Sequence, residues 1–224
     1  MIRYWELTEA QTKDQLANRI NVSPTMIVPM IYRTAEGLDL VPARWELVPH
    51  WWKEAQPARC TFNVRSEDAE TKAVWRHLAS HARCLVPALG WYAWKEIEQI
   101  DPLTGEAGTA RQAFFMQRAD REPIAFAGLM SRRRLEGDAF EYTCTILTRA
   151  AMGIGSSVHA RMPIALAKDA EAAWLDPGMT DAVAAIGFAR DNTITDLTLH
   201  PVNPRVIDAS NQGAEPVALF ENPV

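Results

Sequence analysis

Cysteine, long apolar runs and positive charge are all scarce in this chain. Its three cysteines, Cys60, Cys84 and Cys144, are odd in number and widely spaced, without a Cys-x-x-Cys pair or a histidine at zinc-ligand spacing. We therefore expect reduced, mostly buried thiols. No apolar run approaches the roughly 20 residues that a membrane-spanning helix needs, and residues 1–10 lack the features of a signal peptide. The sequence predicts a cytoplasmic protein with no membrane partner.

The charge balance argues against a protein that coats duplex DNA. The chain has 23 Lys and Arg residues against 28 Asp and Glu, a net charge of −5, whereas domains that bind nucleic acid through their overall field are usually basic. Any contact with DNA must therefore use a local basic patch. With 48% hydrophobic residues in 224, the chain can build one sizeable core, and we predict a single domain over residues 1–224.

Short apolar segments separated by turn residues dominate the chain. The pattern predicts strands at residues 25–33, 38–41, 84–87, 112–118, 123–129, 140–148, 162–166 and 197–202. It predicts short helices at residues 8–19, 67–82, 168–175 and 181–189, the second capped by Ser66 and the fourth by Thr180. Polar residues up to Thr109 predict a loop, and Arg132-Arg133-Arg134 is expected at a turn. Because strands outnumber helices and are mostly consecutive, we predict an α+β fold with a curved antiparallel sheet or an open β-barrel and peripheral short helices.

Two segments allow more than one interpretation. The segment Trp45–Trp52 is either a loop whose tryptophans fill the core or a platform on which unstacked bases stack. His77 and His81 lie four residues apart and could bind a metal, but no third ligand is near them in sequence. We favour a solvated role for both histidines, or one that complements the helix dipole, and predict no metal and no cofactor.

The polar residues that could carry chemistry lie in three stretches. Thr61–Ser66, Gly90–Trp94 and Ser157–Pro163 each combine apolar, strand-like residues with a neighbouring Pro, Gly or turn signal. Their candidate site residues are one asparagine, one histidine and two arginines, namely Asn63, His159, Arg65 and Arg161. The arrangement predicts a polar site set into a folded scaffold. In the simpler alternative, His159 is an interior hydrogen-bonded histidine and Asn63 is a turn residue that caps the backbone.

Five ordered blocks together resemble the SRAP family, the SOS response-associated peptidase domains that are also called abasic site processing proteins. The blocks are Asn63–Glu67, Cys84–Trp94, His159–Pro163, His200–Val202 and Asn211–Glu215. Asn21–Pro24 is also similar to an early Asn-Val-Ala-Pro motif of that family. The resemblance spans nearly the whole chain.

The resemblance implies chemistry on the ring-opened aldehyde of an abasic site in single-stranded DNA. In the family, an N-terminal cysteine exposed by removal of the initiator methionine closes a thiazolidine with that aldehyde, and the same cysteine and a glutamate account for the autoproteolysis. A histidine and the glutamate assist proton transfers, and an asparagine orients the N-terminal group. By position, His159 resembles that histidine and Asn63 that asparagine. The resemblance also implies DNA contacts by Arg3, Pro24, Trp51, Trp52, Arg65 and Arg161.

Two positions depart from the family pattern. Met1-Ile2-Arg3-Tyr4 stands where the family has Met-Cys-Gly-Arg-Tyr, and Ala93 stands where it has the glutamate of Gly-Trp-Tyr-Glu-Trp. A thiazolidine needs a thiol and a free amine on the same residue, which no internal cysteine provides. We therefore expect a monomer that binds single-stranded or abasic-site DNA in the damage response, nucleoid-associated when bound, with impaired cross-linking and autoproteolysis.

Three alternatives stay open. The α-amine of Met1, with an ordinary pKa near 7.7, could form a Schiff base with the abasic site, followed by β-elimination with His159 as proton shuttle. The domain could instead be a non-catalytic scaffold for protein partners. A peptidase acting on other proteins is disfavoured because the chain offers no Gly-x-Ser-x-Gly context for a nucleophile. Salt-sensitive binding of single-stranded DNA would separate the DNA-binding hypotheses from the scaffold.

Overall fold

Strands dominate the described part of the chain, which comprises residues 21–52, 61–100, 106–135, 137, 139–208 and 210 of a computed structural model. The strands are β1 (Ile27–Arg33), β2 (Leu38–Trp45), β3 (Asn63–Arg65), β4 (Arg83–Ala88), β5 (Trp91–Ile100), β6 (Ala107–Arg118), β7 (Ile124–Arg134), β8 (Phe140–Ala150), β9 (Arg161–Pro163), β10 (Ala165–Leu166) and β11 (Leu197–Val202). The α-helices are α1 (Ser66–Thr71), α2 (Ala73–His81), α3 (Glu171–Trp174) and α4 (Ala182–Asp191). Short 3₁₀ turns cover Gly153–Ser157, Lys168–Ala170 and Pro204–Ile207.

Five strands close into a ring. They pair in the order β7, β4, β1, β2 and β8, and β8 returns to β7 from Gly128↔Ile146 to Arg134↔Phe140. The ring pairs are antiparallel except for β2 with β8, which run parallel. The predicted α+β fold with a curved, largely antiparallel sheet and short helices is confirmed. The barrel is closed because β7 and β8 pair with each other, while β7 also pairs with β4 and β8 also pairs with β2.

Consecutive residues of the ring strands enter two different apolar clusters. Met30, Cys84 and Ile146 belong to a cluster built mainly from strand residues, whereas their neighbours Ile31 and Leu85 pack in a cluster that also contains residues of α2, α3 and α4. This period of two is what a strand buried on both faces requires. The core therefore has one layer inside the ring and one between the ring and the helices.

Cys84 and Cys144 are free and completely buried. Burial, reinforced by the neighbouring Cys144, raises the pKa of the Cys84 thiol well above its ordinary value, and burial raises the pKa of the Cys144 thiol to about 12. The expectation of buried, unbridged thiols is confirmed for these two residues. Cys60 lies outside the described residues.

A second sheet contains β5, β6 and β11 in the order β11-β6-β5. β5 and β6 pair without interruption from Trp91↔Met116 to Ile100↔Ala107. The predicted polar loop that follows Trp94 and runs to Thr109 is therefore wrong for residues 95–100 and 107–109. The polar composition of Lys95–Gln99 reflects a strand segment that is largely solvent-exposed, and such a segment carries no apolar alternation for the sequence to reveal.

Two helix caps differ from the prediction. Arg65, not Ser66, occupies the N-cap of α1, and Ser66 is its first helical residue. Asp181, not Thr180, caps α4, and its carboxylate accepts hydrogen bonds from the backbone N–H groups of Val183 at 2.8 Å and Ala184 at 3.2 Å. The predicted helix over 67–82 is also divided, because extended backbone at Lys72 separates α1 from α2. The predicted helix at 8–19 lies outside the described residues.

The three consecutive arginines lie in a strand. Arg132, Arg133 and Arg134 end β7 and pair with residues 140–142 of β8, so the predicted turn is wrong. The Arg132 guanidinium lies 4.6 Å from the centre of the Phe140 ring, and Arg133 forms an ion pair of 2.6 Å with Glu141. Cross-strand partners hold these charges where the sequence alone suggested a solvated loop.

Candidate nucleic-acid interface

The C-terminal end of the ring strand β8, residues 146–150, pairs with a further strand on each edge. β3 pairs with it in parallel over Ile146–Thr148, and β9 pairs with it in antiparallel over Thr148–Ala150. We call this three-stranded region, β3, residues 146–150 and β9, the platform. It brings together two stretches that are almost 100 residues apart in sequence, Asn63–Arg65 and Arg161–Pro163.

Asn63 and Arg65 project from the same face of β3. Both are exposed, whereas Val64 between them is 5% exposed and packs in the core. Strand alternation produces this arrangement: a single buried valine anchors the strand and turns its two polar neighbours outward. Neither polar side chain is hydrogen-bonded to another residue that the structure describes. The platform thus presents an amide and a guanidinium side by side, and Asn63 is not a backbone-capping turn residue.

Arg161 is tied to Glu67, the second residue of α1. Its Nη1 donates to Glu67 Oε1 at 2.8 Å and its Nη2 to Glu67 Oε2 at 2.9 Å. Nη2 also donates to the Thr148 carbonyl at 2.8 Å. The hydrogen bond from Arg161 is the largest cause that lowers the pKa of the Glu67 carboxyl to about 2. The guanidinium therefore faces a protein carboxylate in a bidentate arrangement, which no feature of the sequence indicated.

His159 precedes β9 and is exposed. Its Nδ1 lies 3.0 Å from both the backbone nitrogen and the carbonyl oxygen of Arg161. A neutral ring can accept from that N–H, and a protonated ring can donate to that carbonyl, so each protonation state has a partner. The backbone N–H of His159 donates to the Gly155 carbonyl at 3.2 Å, which holds the backbone of this residue against the 3₁₀ turn Gly153–Ser157. The interpretation of His159 as an interior histidine is wrong.

Ala93 lies on β5 of the second sheet, opposite Phe114. It shares a strand face with Trp91, whose cross-strand partner is Met116. That face is turned toward the 3₁₀ turn, since a Cβ added to Gly155 would lie 3.2 Å from Met116 Cε. Ala93 therefore offers a methyl group on the side of the second sheet that faces the segment leading to His159.

Tyr92 and Trp94 project from the opposite face of β5. They pack with Phe115, Val202 and Val206 in the core of the second sheet, and burial raises the pKa of Tyr92. The motif residues His200–Val202 complete this sheet as the end of β11. The aromatic residues of the Gly90–Trp94 stretch are thus mainly structural.

Trp52 lies away from the platform. Its carbonyl accepts from Arg133 Nη1 at 3.3 Å, and Arg133 pairs with Glu141 near the start of β8. Seven residues of strand separate Glu141 from Thr148, about 23 Å at about 3.3 Å per residue. Trp51 next to it is 48% exposed, with its ring edge-on to His50 at 4.8 Å. Exposure makes Trp51 available for stacking, but not beside Arg65.

Trp45 and Pro24 belong to the platform side of the ring. Trp45 is half-buried, and its Nε1 donates to the carbonyl of Phe62 at 2.8 Å, directly before Asn63. The residue after Pro24, Thr25, donates its N–H to the Trp45 carbonyl at 2.9 Å. The core-filling interpretation of Trp45–Trp52 therefore applies to Trp45, which packs against the core. Trp51 is instead on the surface. Met1, Arg3 and the block Asn211–Glu215 lie outside the described residues.

The two histidines of α2 remain a pair. The rings of His77 and His81 are 5.2 Å apart. Within the described ranges, no group of three or more His, Cys, Asp or Glu residues is placed to hold a metal ion. Among the same residues, no helix has the length and apolarity that crossing a membrane requires.

Residues 1–209 match the family model for SOS response associated peptidase (SRAP). Abasic site processing protein YedK of Escherichia coli is 30% identical over 201 residues, which is 88% of this chain and 82% of YedK. Abasic site processing protein YoaM of Bacillus subtilis is 26% identical over 215 residues, covering 96% and 91%. Abasic site processing protein HMCES of Mus musculus is 26% identical over 241 residues, covering 95% of this chain and 68% of HMCES.

Solved structures share the fold. A crystal structure of a protein from Bacteroides thetaiotaomicron aligns with a TM-score of 0.68 at 18% identity and covers 88% of this chain and 82% of its own. A crystal structure of a phage-related protein from Bordetella bronchiseptica aligns with a TM-score of 0.63 at 26% identity and covers 82% and 81%. The first of these similarities bears on the fold alone.

Proposed function

This chain belongs to the SOS response associated peptidase (SRAP) family, and from that membership we propose that it binds single-stranded DNA at abasic sites. Its relatives in Escherichia coli, Bacillus subtilis and mouse carry the name abasic site processing protein. We further propose that thiazolidine cross-linking and autoproteolysis are impaired in it. The protein would then hold and shield the lesion more than react with it.

The observation that carries this proposal is the pair Asn63 and Arg65, exposed together on β3, which pairs with the same end of β8 as β9, the strand that follows His159. An exposed guanidinium that is not engaged by a described residue can neutralise a phosphate. The neighbouring amide can hydrogen-bond a deoxyribose hydroxyl or the opened aldehyde. When Nδ1–H of His159 donates to the Arg161 carbonyl, Nε2 is the ring nitrogen left to accept and return a proton.

Two positions, Ala93 and Met1, lack the groups that the family's covalent reaction uses. Ala93 supplies a methyl group where the family pattern has a carboxylic acid, so one proton carrier is absent. The Glu67 carboxylate does not replace it. The hydrogen bond from Arg161 is the largest cause that lowers the pKa of Glu67 to about 2, so this carboxylate is ionised and cannot donate a proton near neutral pH. The residue before Ile2-Arg3-Tyr4 is Met1, which has no thiol to close a thiazolidine.

The first test is incubation of the mass-verified protein with a single-stranded oligonucleotide that carries one abasic site, with and without borohydride, followed by a denaturing gel. We expect binding on a native gel and no covalent band without borohydride. A band that appears only after reduction and disappears when the N-terminus is acetylated would establish the Schiff-base alternative at Met1. A band that survives denaturation without reduction would refute impaired cross-linking.

The second test measures the affinity for single-stranded DNA as a function of salt. For each phosphate that the protein neutralises on a single strand, the slope of log K against log salt changes by about 0.7. Arg65→Gln should therefore weaken binding and flatten the slope by about 0.7. Arg76→Gln, an exposed arginine on α2 away from the platform, is the matched control. Wild-type protein with no salt-sensitive binding would instead favour the protein-interaction scaffold.

A further inference from the structure

The charge of Arg161 is masked by Glu67. Both terminal nitrogens of the guanidinium donate to the carboxylate, at 2.8 and 2.9 Å, and Nη2 also donates to Thr148. The Arg161 side chain is 24% exposed, whereas that of Glu67 is 53% exposed. The outward member of the pair is thus the anion, and a DNA strand approaching the platform meets a carboxylate before it meets this arginine.

We propose that Glu67 is an electrostatic gate that withholds Arg161 from DNA phosphate and thereby sets the affinity and salt dependence of binding. The proposal rests on the function proposed above and adds a specificity-determining residue to it. In the closed state the platform offers Arg65 as its phosphate ligand. Arg161 joins it only when a phosphate takes the place of the Glu67 carboxylate.

A phosphate can make the same two hydrogen bonds to Arg161 as the Glu67 carboxylate, because both groups present a pair of acceptor oxygens to a guanidinium. A phosphate can therefore replace Glu67 at both terminal nitrogens, while the hydrogen bond from Nη2 to the Thr148 carbonyl stays in place. The Glu67 carboxylate has one further side-chain partner among the described residues, the Ser66 hydroxyl at 3.3 Å. An exposed carboxylate with so little else to hold it can rotate into solvent when it is displaced.

The same helix supplies a control for the loss of one negative charge. Glu70 on α1 forms an ion pair with Arg190 of α4, and its side chain is 19% exposed. Glu70→Gln removes the same charge from the same helix and leaves the Arg161 pair intact. A comparison of Glu67→Gln with Glu70→Gln thus separates the release of Arg161 from a general change in net charge.

The experiment measures binding of a short single-stranded oligothymidine over a range of salt concentrations. We expect Glu67→Gln to bind about three- to tenfold more tightly than wild type at low salt, with a slope steeper by about 0.7, equivalent to one more phosphate neutralised. Glu70→Gln should stay within about twofold of wild type. The double variant Glu67→Gln/Arg161→Gln should lose both the gain in affinity and the steeper slope.

Thermal unfolding of each variant confirms that it is folded before binding is compared. Equal or weaker binding by Glu67→Gln than by Glu70→Gln would overturn the gate and make the ion pair a structural link between α1 and β9. A gain in Glu67→Gln that survives in the double variant would also overturn it, because Arg161 would not be the residue released. Absence of salt-sensitive binding in wild type and in every variant would refute the proposed function itself.

Discussion

Single buried charges in this protein are stabilised by backbone groups as well as by ion pairs. The Arg83 guanidinium is buried, and it donates to the backbone carbonyls of Ala79, Trp174, Asp176 and Met179. The carbonyls of Ala79 and Trp174 lie in the last turns of α2 and α3, where helical carbonyls have no partner of their own, and those of Asp176 and Met179 lie in the loop between α3 and α4. One arginine at the start of β4 thus satisfies acceptors from two helices and joins them to the ring.

Replacing Arg83 by methionine should therefore cost more than an ordinary surface change. Arg83→Met keeps the apolar stem but leaves four buried or half-buried carbonyls without their donor. We expect the free energy of unfolding, measured in urea, to fall by about 2 to 4 kcal/mol. Arg76→Met, an exposed position on α2, should change it by less than about 0.5 kcal/mol. Similar values for the two variants would contradict the role assigned to Arg83.

The Glu67–Arg161 pair predicts a pH dependence. The pKa of Glu67 is lowered in the folded protein from an ordinary 4.5 to about 2, so the folded state favours its ionised form. The resulting stabilisation is fully present above about pH 4.5 and is lost as the pH falls toward 2. Glu67→Gln should therefore lower the urea midpoint at neutral pH, and the difference from wild type should shrink as the solution is acidified. A difference that is constant between these limits would show that the carboxylate charge is not its source.

At the scale of elements, one glycine determines how closely β5 approaches β6. A Cβ added at Gly90 would lie 2.2 Å from the Met116 carbonyl oxygen and 2.6 Å from the Phe115 ring. Such a contact requires the backbone to move, and β5 begins at the next residue. The close approach also positions Trp91, whose ring packs edge-on against Phe126 of the barrel at 5.9 Å. Gly90 thus fixes the contact between the two sheets.

Gly90→Ala should destabilise the protein by about 3 kcal/mol, since overpacking against backbone is not relieved by a rotamer change. Gly108→Ala on β6 is the matched control, because its added Cβ would meet the Gln99 carbonyl oxygen at an ordinary 3.8 Å. We expect that control to be neutral or slightly stabilising. Urea unfolding of both variants measures the contrast, and equal effects would argue against the close approach.

The elements also mark how far the sequence could predict the structure. The strands Arg83–Ala88 and Leu197–Val202 were predictable because short apolar runs bounded by turn residues are typical of strands. The pairing of Lys95–Gln99 with β6 was not, because a segment exposed on both faces has no apolar period. The Glu67–Arg161 pair was equally hidden: the two residues are 94 positions apart, and only the shared neighbour β8 brings them together. Local pattern predicted a polar site in these stretches, and long-range topology decided which residues face each other.

At the scale of the whole molecule, the two sheets differ in how their backbone is protected. Each strand of the ring has neighbours on both sides and apolar clusters on both faces. β5 is the outer strand of the second sheet, and most of Lys95–Ile100 is exposed. Local opening should therefore need much less free energy in the second half of β5 than in the ring.

Amide hydrogen exchange tests this difference. We expect the hydrogen-bonded amides of β4 and β7 to exchange at least about a hundredfold more slowly than those of Lys95–Ile100 that pair with β6. Mass spectrometry of peptic fragments resolves the two regions. Uniform protection across both sheets would show that they open together as one cooperative unit.

Ala93 lies on a different sheet from Asn63 and Arg65, so the candidate site is built from both sheets. The groups that would hold a strand, Asn63 and Arg65, are carried by β3 on the ring, whereas the position from which the family's carboxylate would act belongs to β5. A change at position 93 leaves the pairing of β3 and β9 with β8 untouched. Under the proposed function, a substitution at position 93 can therefore remove or restore reactivity while the surface proposed to bind DNA stays unchanged.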